Sequence, residues 1–251
     1  MTTVSDTAWL QTWHGGDRAD APLLICFPHL GGGPSAFREW QAYAGGRLTV
    51  AAVRYPARES RLADPLPATW CELVQGIVGG IEPALDRPYA LFGHSMGAQM
   101  AYEAAVEIGR RRLPPPLRVF ASGAEAPERA AANVRIPIGA DPMDWVQGLG
   151  GMPDEVALLP ELRELVAQAV RGDHQLMAHY TPSSEQLSCD LTVIWSSEDT
   201  MVTANGRADW TKRTAGRTAF RRASGDHFAH LARPGPILDI VLDGIAAGRP
   251  R

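Results

Sequence analysis

The sequence predicts one α/β domain with a mostly parallel sheet, flanked by helices and carrying an inserted helical segment. Short apolar runs alternate with helical patterns, which is the βαβ rhythm of a parallel sheet. A Gly-X-Ser-X-Gly motif stands between one such run and a helical pattern. A chain of 251 residues can bury one large core, so we expect a single domain over residues 1–251.

Six apolar runs are predicted strands, and four segments with apolar residues three and four apart are predicted helices. The predicted strands are Leu23–Phe27, Leu48–Arg54, Tyr89–Phe92, Leu117–Ala121, Leu191–Trp195 and Thr218–Arg222. The predicted helices are Ala68–Leu85, Met96–Arg112, Gly206–Ala215 and Pro236–Ala247. Pro83 is expected to end the first helix early, because a proline removes a backbone donor and clashes with the preceding turn.

The interval from about 135 to 180 interrupts this rhythm. It contains helical patterns at Asp141–Leu149 and Leu158–His179 but no convincing strand. We interpret residues 135–180 as a helical lid inserted over the carboxyl ends of the strands, where ligands bind in open α/β sheets. An ordinary pair of packing helices is the alternative.

Composition excludes several classes of function. A net charge of −4 argues against a nucleic-acid partner, because such proteins need a basic face to neutralise phosphates. No apolar stretch approaches the roughly 18 residues of a membrane span, and no secretory leader is recognisable. Three cysteines fit a reducing compartment, so we expect a cytoplasmic protein. Metal-ligand motifs are missing, so no metal is expected.

The segment Gly93-His94-Ser95-Met96-Gly97 is the candidate nucleophile elbow. A nucleophilic serine must project from a sharp turn between strand and helix, and the flanking glycines leave room for that turn. The motif also arises by chance, but its position after an apolar run and before a helical pattern favours a catalytic Ser95.

Ser95 requires a histidine base and a carboxylate that orients it, in the order serine, acid, histidine. Asp199 follows one predicted strand and His227 follows the next, so both reach the edge of the sheet where Ser95 lies. Glu198 and Asp226 adjoin these residues, and the sequence alone eliminates neither. Asp226 also fits the role of a turn former.

Two backbone N–H groups must face the developing oxyanion. One is expected from Met96, which follows the nucleophile, and the other from Leu30 in the glycine-rich loop after the first strand. We expect Pro28, His29 and Gly31 of this loop to contact substrate. The alternative for its three consecutive glycines is a simple tight turn.

Together these residues resemble the type II thioesterases of polyketide and nonribosomal peptide pathways, within the α/β-hydrolase superfamily. The resemblance covers nearly the whole chain; its marks are Phe27-Pro28-His29, Trp40, Arg54–Arg58, the elbow Gly93–Ala98, Asp173, Asp199, Trp210 and Gly225–Phe228. It implies an α/β-hydrolase fold and hydrolysis of acyl groups from the phosphopantetheine arm of acyl or peptidyl carrier proteins. It also implies a transient carrier partner and no cofactor of the enzyme's own. We expect a monomer.

The chain departs from the family pattern at two positions. Leu30 stands where alanine is usual, and its bulk is expected to narrow the acyl pocket. Ala57 stands where glycine is usual, which predicts a turn without positive φ. Arg54, Arg58 and Arg61 form a candidate docking cluster for an acidic carrier protein.

Two other functions remain open from the residues alone. An acyltransferase or cyclase would use the same triad with an alcohol or amine in place of water. A non-catalytic binding protein with the same fold is the second alternative, and the complete set of Ser95, Asp199 and His227 argues against it.

Overall fold

The computed structural model describes residues 6–13, 20–132, 143 and 159–248, and its centre is a seven-stranded sheet. The strands are β1 (Leu10–Thr12), β2 (Leu23–Phe27), β3 (Thr49–Val53), β4 (Tyr89–His94), β5 (Arg118–Ser122), β6 (Asp190–Ser196) and β7 (Thr218–Ala223). Their spatial order is β1-β3-β2-β4-β5-β6-β7. Only β1 pairs antiparallel among these strands, so the predicted mostly parallel sheet is confirmed.

Helices follow or connect the strands. They are α1 (Trp40–Ala44), α2 (Trp70–Ile81), α3 (Met96–Arg110), α4 (Pro127–Ala132), α5 (Pro160–Ala178), α6 (Ala204–Ala208), α7 (Ala229–Ala232) and α8 (Pro234–Gly248). Short 3₁₀ turns lie at Pro34–Phe37, Glu59–Arg61, Glu82–Ala84 and Asp209–Arg213.

Strands β2, β3 and β4 are buried on both faces, which explains why they appear in the sequence as continuous apolar runs. The edge strand β7 is largely exposed. In β2, Leu23, Ile25 and Phe27 belong to the core beneath α2 and α3. Leu24 and Cys26 point to the opposite core, which includes side chains of α1 and α8. Because successive side chains alternate between faces, one five-residue strand serves both cores.

The predicted elements agree with the structure except in short or edge segments. Helix α2 begins at a capping box formed by Thr69 and Glu72, and it ends at Ile81 before the 3₁₀ turn that contains Pro83. The three residues of β1 carry too short a pattern to predict. The predicted helix Gly206–Ala215 is wrong in form, because it divides into α6 and a 3₁₀ turn.

Only part of the predicted lid can be compared with the structure. The second predicted helix of this interval is present as α5, whereas Asp141–Leu149 lies outside the described residues apart from Met143. Met143 forms a small buried apolar cluster with Ala167 and Val170 of α5, and Leu30 packs against this cluster. Helix α5 therefore covers the loop that follows β2. The single domain over 1–251 stays a prediction.

The expectation for Ala57 is wrong, because this residue has φ of 62°. Its N–H donates to the carbonyls of Arg61 and Asp64, each at 3.0 Å, and these two hydrogen bonds hold it in the left-handed region. A Cβ makes that region unfavourable, so the backbone at Ala57 is strained. The presence of alanine therefore does not exclude a positive φ at this turn.

Ala57→Gly is therefore expected to raise the free energy of unfolding by about 0.5–1 kcal/mol. Relief of the left-handed strain, about 1–2 kcal/mol, exceeds the extra entropy that glycine confers on the unfolded chain. Urea titration measures the change. Ala42→Gly, at an exposed position in α1, is the control and should lower stability by about 1 kcal/mol. Equal losses of stability in Ala57→Gly and Ala42→Gly would contradict the proposed backbone strain at Ala57.

Candidate active site

Ser95 occupies a strained turn between β4 and α3, with φ of 54° and ψ of −123°. Its N–H donates to the carbonyl of Ser122 at 2.8 Å, which ties the turn to the end of β5. The glycines on either side are required by close backbone approaches. A Cβ at Gly93 would overlap the backbone of Gly97, and one at Gly97 would overlap the carbonyl of Phe27. This is the geometry of a nucleophile elbow.

Asp199 and His227 form a buried pair at the carboxyl edge of the sheet. The Nδ1 of His227 lies 2.8 Å from Oδ2 of Asp199, and the two side chains are 5% and 1% exposed. The other oxygen of Asp199 accepts the N–H of Met201 at 2.8 Å. With Nδ1 donating to the carboxylate, Nε2 is the nitrogen left to accept a proton.

The acids left open by the sequence have other positions. The side chain of Glu198 is exposed, while its N–H donates to the carbonyl of Gly225 at 2.8 Å. Asp226 accepts the N–H of Phe228 at 3.0 Å, the hydrogen bond of a turn former. Of these neighbouring acids, Asp199 is the one that bonds to His227.

Sheet topology brings the elbow and the acid–base pair together. Strands β4, β5, β6 and β7 are adjacent and parallel, so the residues that follow them lie along one edge. The ring of His94, next to Ser95 in the chain, lies 4.8 Å from the ring of His227. Ser95, Asp199 and His227 therefore share this edge.

The glycine-rich loop after β2 borders a cavity of about 540 Å³ beneath α5. His29, Leu30 and Gly31 line the cavity, together with Val166 and Val170 of α5. Pro28 lies deeper, where its carbonyl accepts the hydroxyl of Tyr55 at 3.4 Å. Met96 begins α3 and is buried, so its N–H lies at the helix N-terminus beside the nucleophile.

A cluster of buried histidines behind the site was not predicted. His94 stacks on His230 with ring centroids 3.8 Å apart, and His29 lies 5.8 Å from His230. Burial lowers the pKa of His29 to about 3 and holds the pKa values of His94 and His230 well below their usual range. Their residues lie far apart in the sequence, so no local pattern indicates the cluster.

The proposed docking cluster of three arginines is wrong for Arg58. Its guanidinium is buried and makes two hydrogen bonds of 2.6 Å to Asp173 of α5. Arg54 and Arg61 pair with Asp6 and Asp64. The buried carboxylate that draws Arg58 inward comes from 115 residues away, a contact that local sequence does not reveal.

A serine elbow followed by an acid–base pair at the carboxyl edge of a parallel sheet defines the class of α/β-hydrolases. The chain belongs to the thioesterase domain family, which it matches over residues 22–245. This confirms the predicted enzyme class, a hydrolase of thioesters.

Relatives and solved structures agree with this family. The human medium-chain S-acyl fatty acid synthase thioesterase is 34% identical over 82% of this chain and 79% of its own length. The type II thioesterase BorB of the borrelidin cluster superposes with a TM-score of 0.84 at 28% identity, covering 97% of this chain and 100% of BorB. RedJ, a thioesterase of prodiginine biosynthesis in Streptomyces coelicolor, gives 0.80 at 30% identity, covering 99% and 97%. The predicted resemblance to type II thioesterases is confirmed.

The described residues lack the features of two other kinds of site. None of the helices in this part of the chain has the length and apolar character needed to cross a bilayer. The same residues contain no group of three His, Cys, Asp or Glu side chains arranged to hold a metal ion.

Proposed function

We propose that this thioesterase removes acyl groups from the phosphopantetheine arm of acyl or peptidyl carrier proteins, clearing misprimed or stalled units. The hydrogen bond between Asp199 and His227, at the edge where Ser95 projects, is the observation that carries the proposal. The similarity to BorB and RedJ, thioesterases of biosynthetic pathways, supports the carrier-bound substrate.

The proposed reaction proceeds through an acyl-enzyme. The Ser95 hydroxyl oxygen attacks the thioester carbonyl while Nε2 of His227 takes its proton, and Asp199 stabilises the resulting imidazolium. The N–H groups of Met96 and Leu30 hold the oxyanion. His227 then gives the proton to the departing thiol. Water then attacks the acyl carbonyl while the same histidine takes a proton from it. The bond to the Ser95 oxygen breaks, His227 returns the proton to that oxygen, and the free acid leaves.

The cavity beneath α5 is the proposed site of the acyl chain. Its lining includes the apolar side chains of Leu30, Leu165, Val166 and Val170, which suit a hydrocarbon, beside the charged side chains of Glu39, Arg58 and Glu59. His29 and Gly31 contact the same space, while Pro28 supports the loop from behind. We propose that the bulk of Leu30 limits the width of the chain that fits.

We propose that the enzyme works as a cytoplasmic monomer of one domain and meets its carrier transiently. Its substrate brings the phosphopantetheine, so the enzyme supplies no cofactor.

The proposed activity is tested by supplying one acyl group on a carrier protein, on coenzyme A and on N-acetylcysteamine. The expected product is the free acid, with the highest kcat/KM on the carrier. Mass spectrometry of the products distinguishes the alternatives. Transfer of the acyl group to an added alcohol or amine, with little free acid, would show an acyltransferase instead.

The carrier partner leads to a separate prediction at β7. Arg222 is exposed near the carboxyl end of this edge strand, five residues before His227, and would face an acidic carrier. Arg222→Glu is expected to lower kcat/KM for the acyl-carrier by about tenfold through slower association, and to leave the N-acetylcysteamine thioester unaffected. Stopped-flow association at low salt gives the direct measurement.

Arg217→Glu is the matched control for this experiment. Arg217 is 91% exposed but precedes β7, at the end of the strand away from His227. A loss as large in Arg217→Glu as in Arg222→Glu would indicate a general charge effect and contradict docking at the carboxyl end.

A further inference from the structure

We infer that Asp173 and Arg58 are positioning residues that hold the oxyanion loop in its working geometry and couple it to helix α5. The inference rests on the proposed role of the Leu30 N–H in that loop. It concerns two side chains whose hydrogen bonds go to each other and to the backbone of the loop, through which they act.

Asp173 and Arg58 form a fully buried ion pair with side chains 0% and 4% exposed. Both carboxylate oxygens are used by the guanidinium, with Nη1 and Nη2 each 2.6 Å from their partners. Such a forked pair has a single favourable geometry, unlike a lysine contact. Arg58 is fixed further by donating from Nε to the carbonyl of Pro56 at 3.1 Å.

The pair forms hydrogen bonds with the backbone of the loop at two consecutive residues. The N–H of Gly31 donates to Oδ2 of Asp173 at 2.8 Å, and Nη1 of Arg58 donates to the carbonyl of Gly32 at 3.2 Å. Gly31 directly follows Leu30, so these bonds fix the peptide plane adjacent to the proposed oxyanion donor. Gly31 has φ of 75°, a conformation from which an unheld glycine would depart easily.

Helix α5 also packs against the same loop through apolar contacts. A Cβ at Gly31 would overlap the side chain of Val170, which lies one turn before Asp173. Leu30 packs against the buried cluster that includes Ala167 and Val170 of the same helix. Because the helix carries both the acyl-pocket side chains and the carboxylate that holds the loop, its position and the donor geometry change together.

Charged and titratable groups surround the pair on several sides. The guanidinium of Arg58 lies 5.2 Å from the Tyr55 ring centroid, and Glu59 and His29 lie nearby. Burial opposes the charge on Arg58, but Asp173 outweighs this, and the pKa of the guanidinium is raised. Truncation of either side chain would leave the other charge buried without a partner, so the test uses replacements of similar shape or equal charge.

Asp173→Asn keeps the shape of the side chain but replaces one acceptor oxygen by an NH₂ group. It cannot accept hydrogen bonds from the Gly31 N–H and from both guanidinium nitrogens at once. We expect kcat for an N-acetylcysteamine thioester to fall about 100-fold, the effect of a misplaced oxyanion donor, with KM changed by less than about threefold. Affinity for a boronic acid that mimics the tetrahedral intermediate should fall in parallel with kcat. A purely structural role would not separate kcat from KM in this way.

Arg58→Lys provides the second variant, which keeps the charge but loses the fork to Asp173. It is expected to show the same fall in kcat with little change in KM. If Asp173→Asn does not fold, Arg58→Lys alone tests whether the pair positions the loop. Glu164→Gln is the matched control, because Glu164 pairs with Arg171 on the same helix at 2.6 Å in an exposed position. This control should keep wild-type kcat and KM.

Two results would overturn the inference. One is a folded Asp173→Asn or Arg58→Lys enzyme with kcat within threefold of wild type. The other is a loss that lies entirely in KM, which would make the pair part of acyl binding alone. Either leaves wild-type hydrolysis intact, whereas failure of the proposed function would appear as wild-type enzyme that hydrolyses no thioester.

Discussion

Ser95→Ala is expected to lower kcat for thioester hydrolysis by about 10⁶-fold, the size of effect that follows loss of a serine nucleophile. Alanine cannot form the acyl-enzyme, so only binding and the oxyanion N–H groups remain to assist direct attack by water. The backbone strain at this position is retained, because alanine also has a Cβ. Labelling by a fluorophosphonate, followed by intact-protein mass spectrometry, should disappear with the activity.

Two further replacements separate chemistry from folding at the elbow. Ser224→Ala, at an exposed position three residues before His227, is the control and should keep activity and labelling. Ser95→Gly should be as inactive as Ser95→Ala but more stable by about 1–3 kcal/mol, because glycine relieves the strain at φ of 54°. Hydrolysis by Ser95→Ala within tenfold of wild type would contradict the nucleophile assignment.

Acid is expected to destabilise the fold steeply through His29, His94 and His230. Their folded-state pKa values lie below the unfolded value near 6.5, mainly because burial disfavours the charged ring. The unfolded chain therefore binds more protons, and stability rises with pH. Their contribution is complete above about pH 6.5 and falls as the pH drops toward the pKa of His29, about 3.

The slope is about 1.4 kcal/mol per pH unit for each histidine, so three together give about 4 kcal/mol per pH unit in acid. Urea titrations between pH 4 and 7, at roughly half-unit steps, measure it. Nearby charges reinforce burial, since His227 and Arg58 face His29, and the three rings face one another and His227.

His230→Leu isolates one member of this cluster. In the described part of the chain neither ring nitrogen of His230 has a hydrogen-bond partner, so an apolar side chain should be tolerated. The slope is expected to fall by about 1.4 kcal/mol per pH unit. His179→Gln, at the exposed end of α5, controls for loss of a histidine as such. An unchanged slope in His230→Leu would contradict the prediction.

Local sequence patterns predicted the elements that depend on near neighbours. Continuous apolar runs indicated the buried parallel strands because both faces of β2 are covered. The elbow around Ser95 was recognisable because its two glycines lie at a fixed spacing on either side of the serine, although the space at Gly97 is limited by the carbonyl of Phe27 in a distant part of the chain. Strand β1 was missed because three residues at a sheet edge carry no periodic signal. The φ of Ala57 was misjudged because the hydrogen bonds to the carbonyls of Arg61 and Asp64, which hold its turn, leave no mark in the residue types.

The sequence by itself determined the class of fold and the identity of the residues available for catalysis. Chain order and strand ends favoured Ser95, Asp199 and His227 as catalytic candidates, because parallel strands deliver the residues after them to one edge. The choice between Asp199 and its neighbours Glu198 and Asp226 required the structure. Tertiary structure alone decided which groups are charged, paired or neutral. Asp173 bonds to Arg58 across 115 residues, and the ring of His94 stacks on that of His230, because burial depends on the packed molecule rather than on neighbouring residues in the sequence.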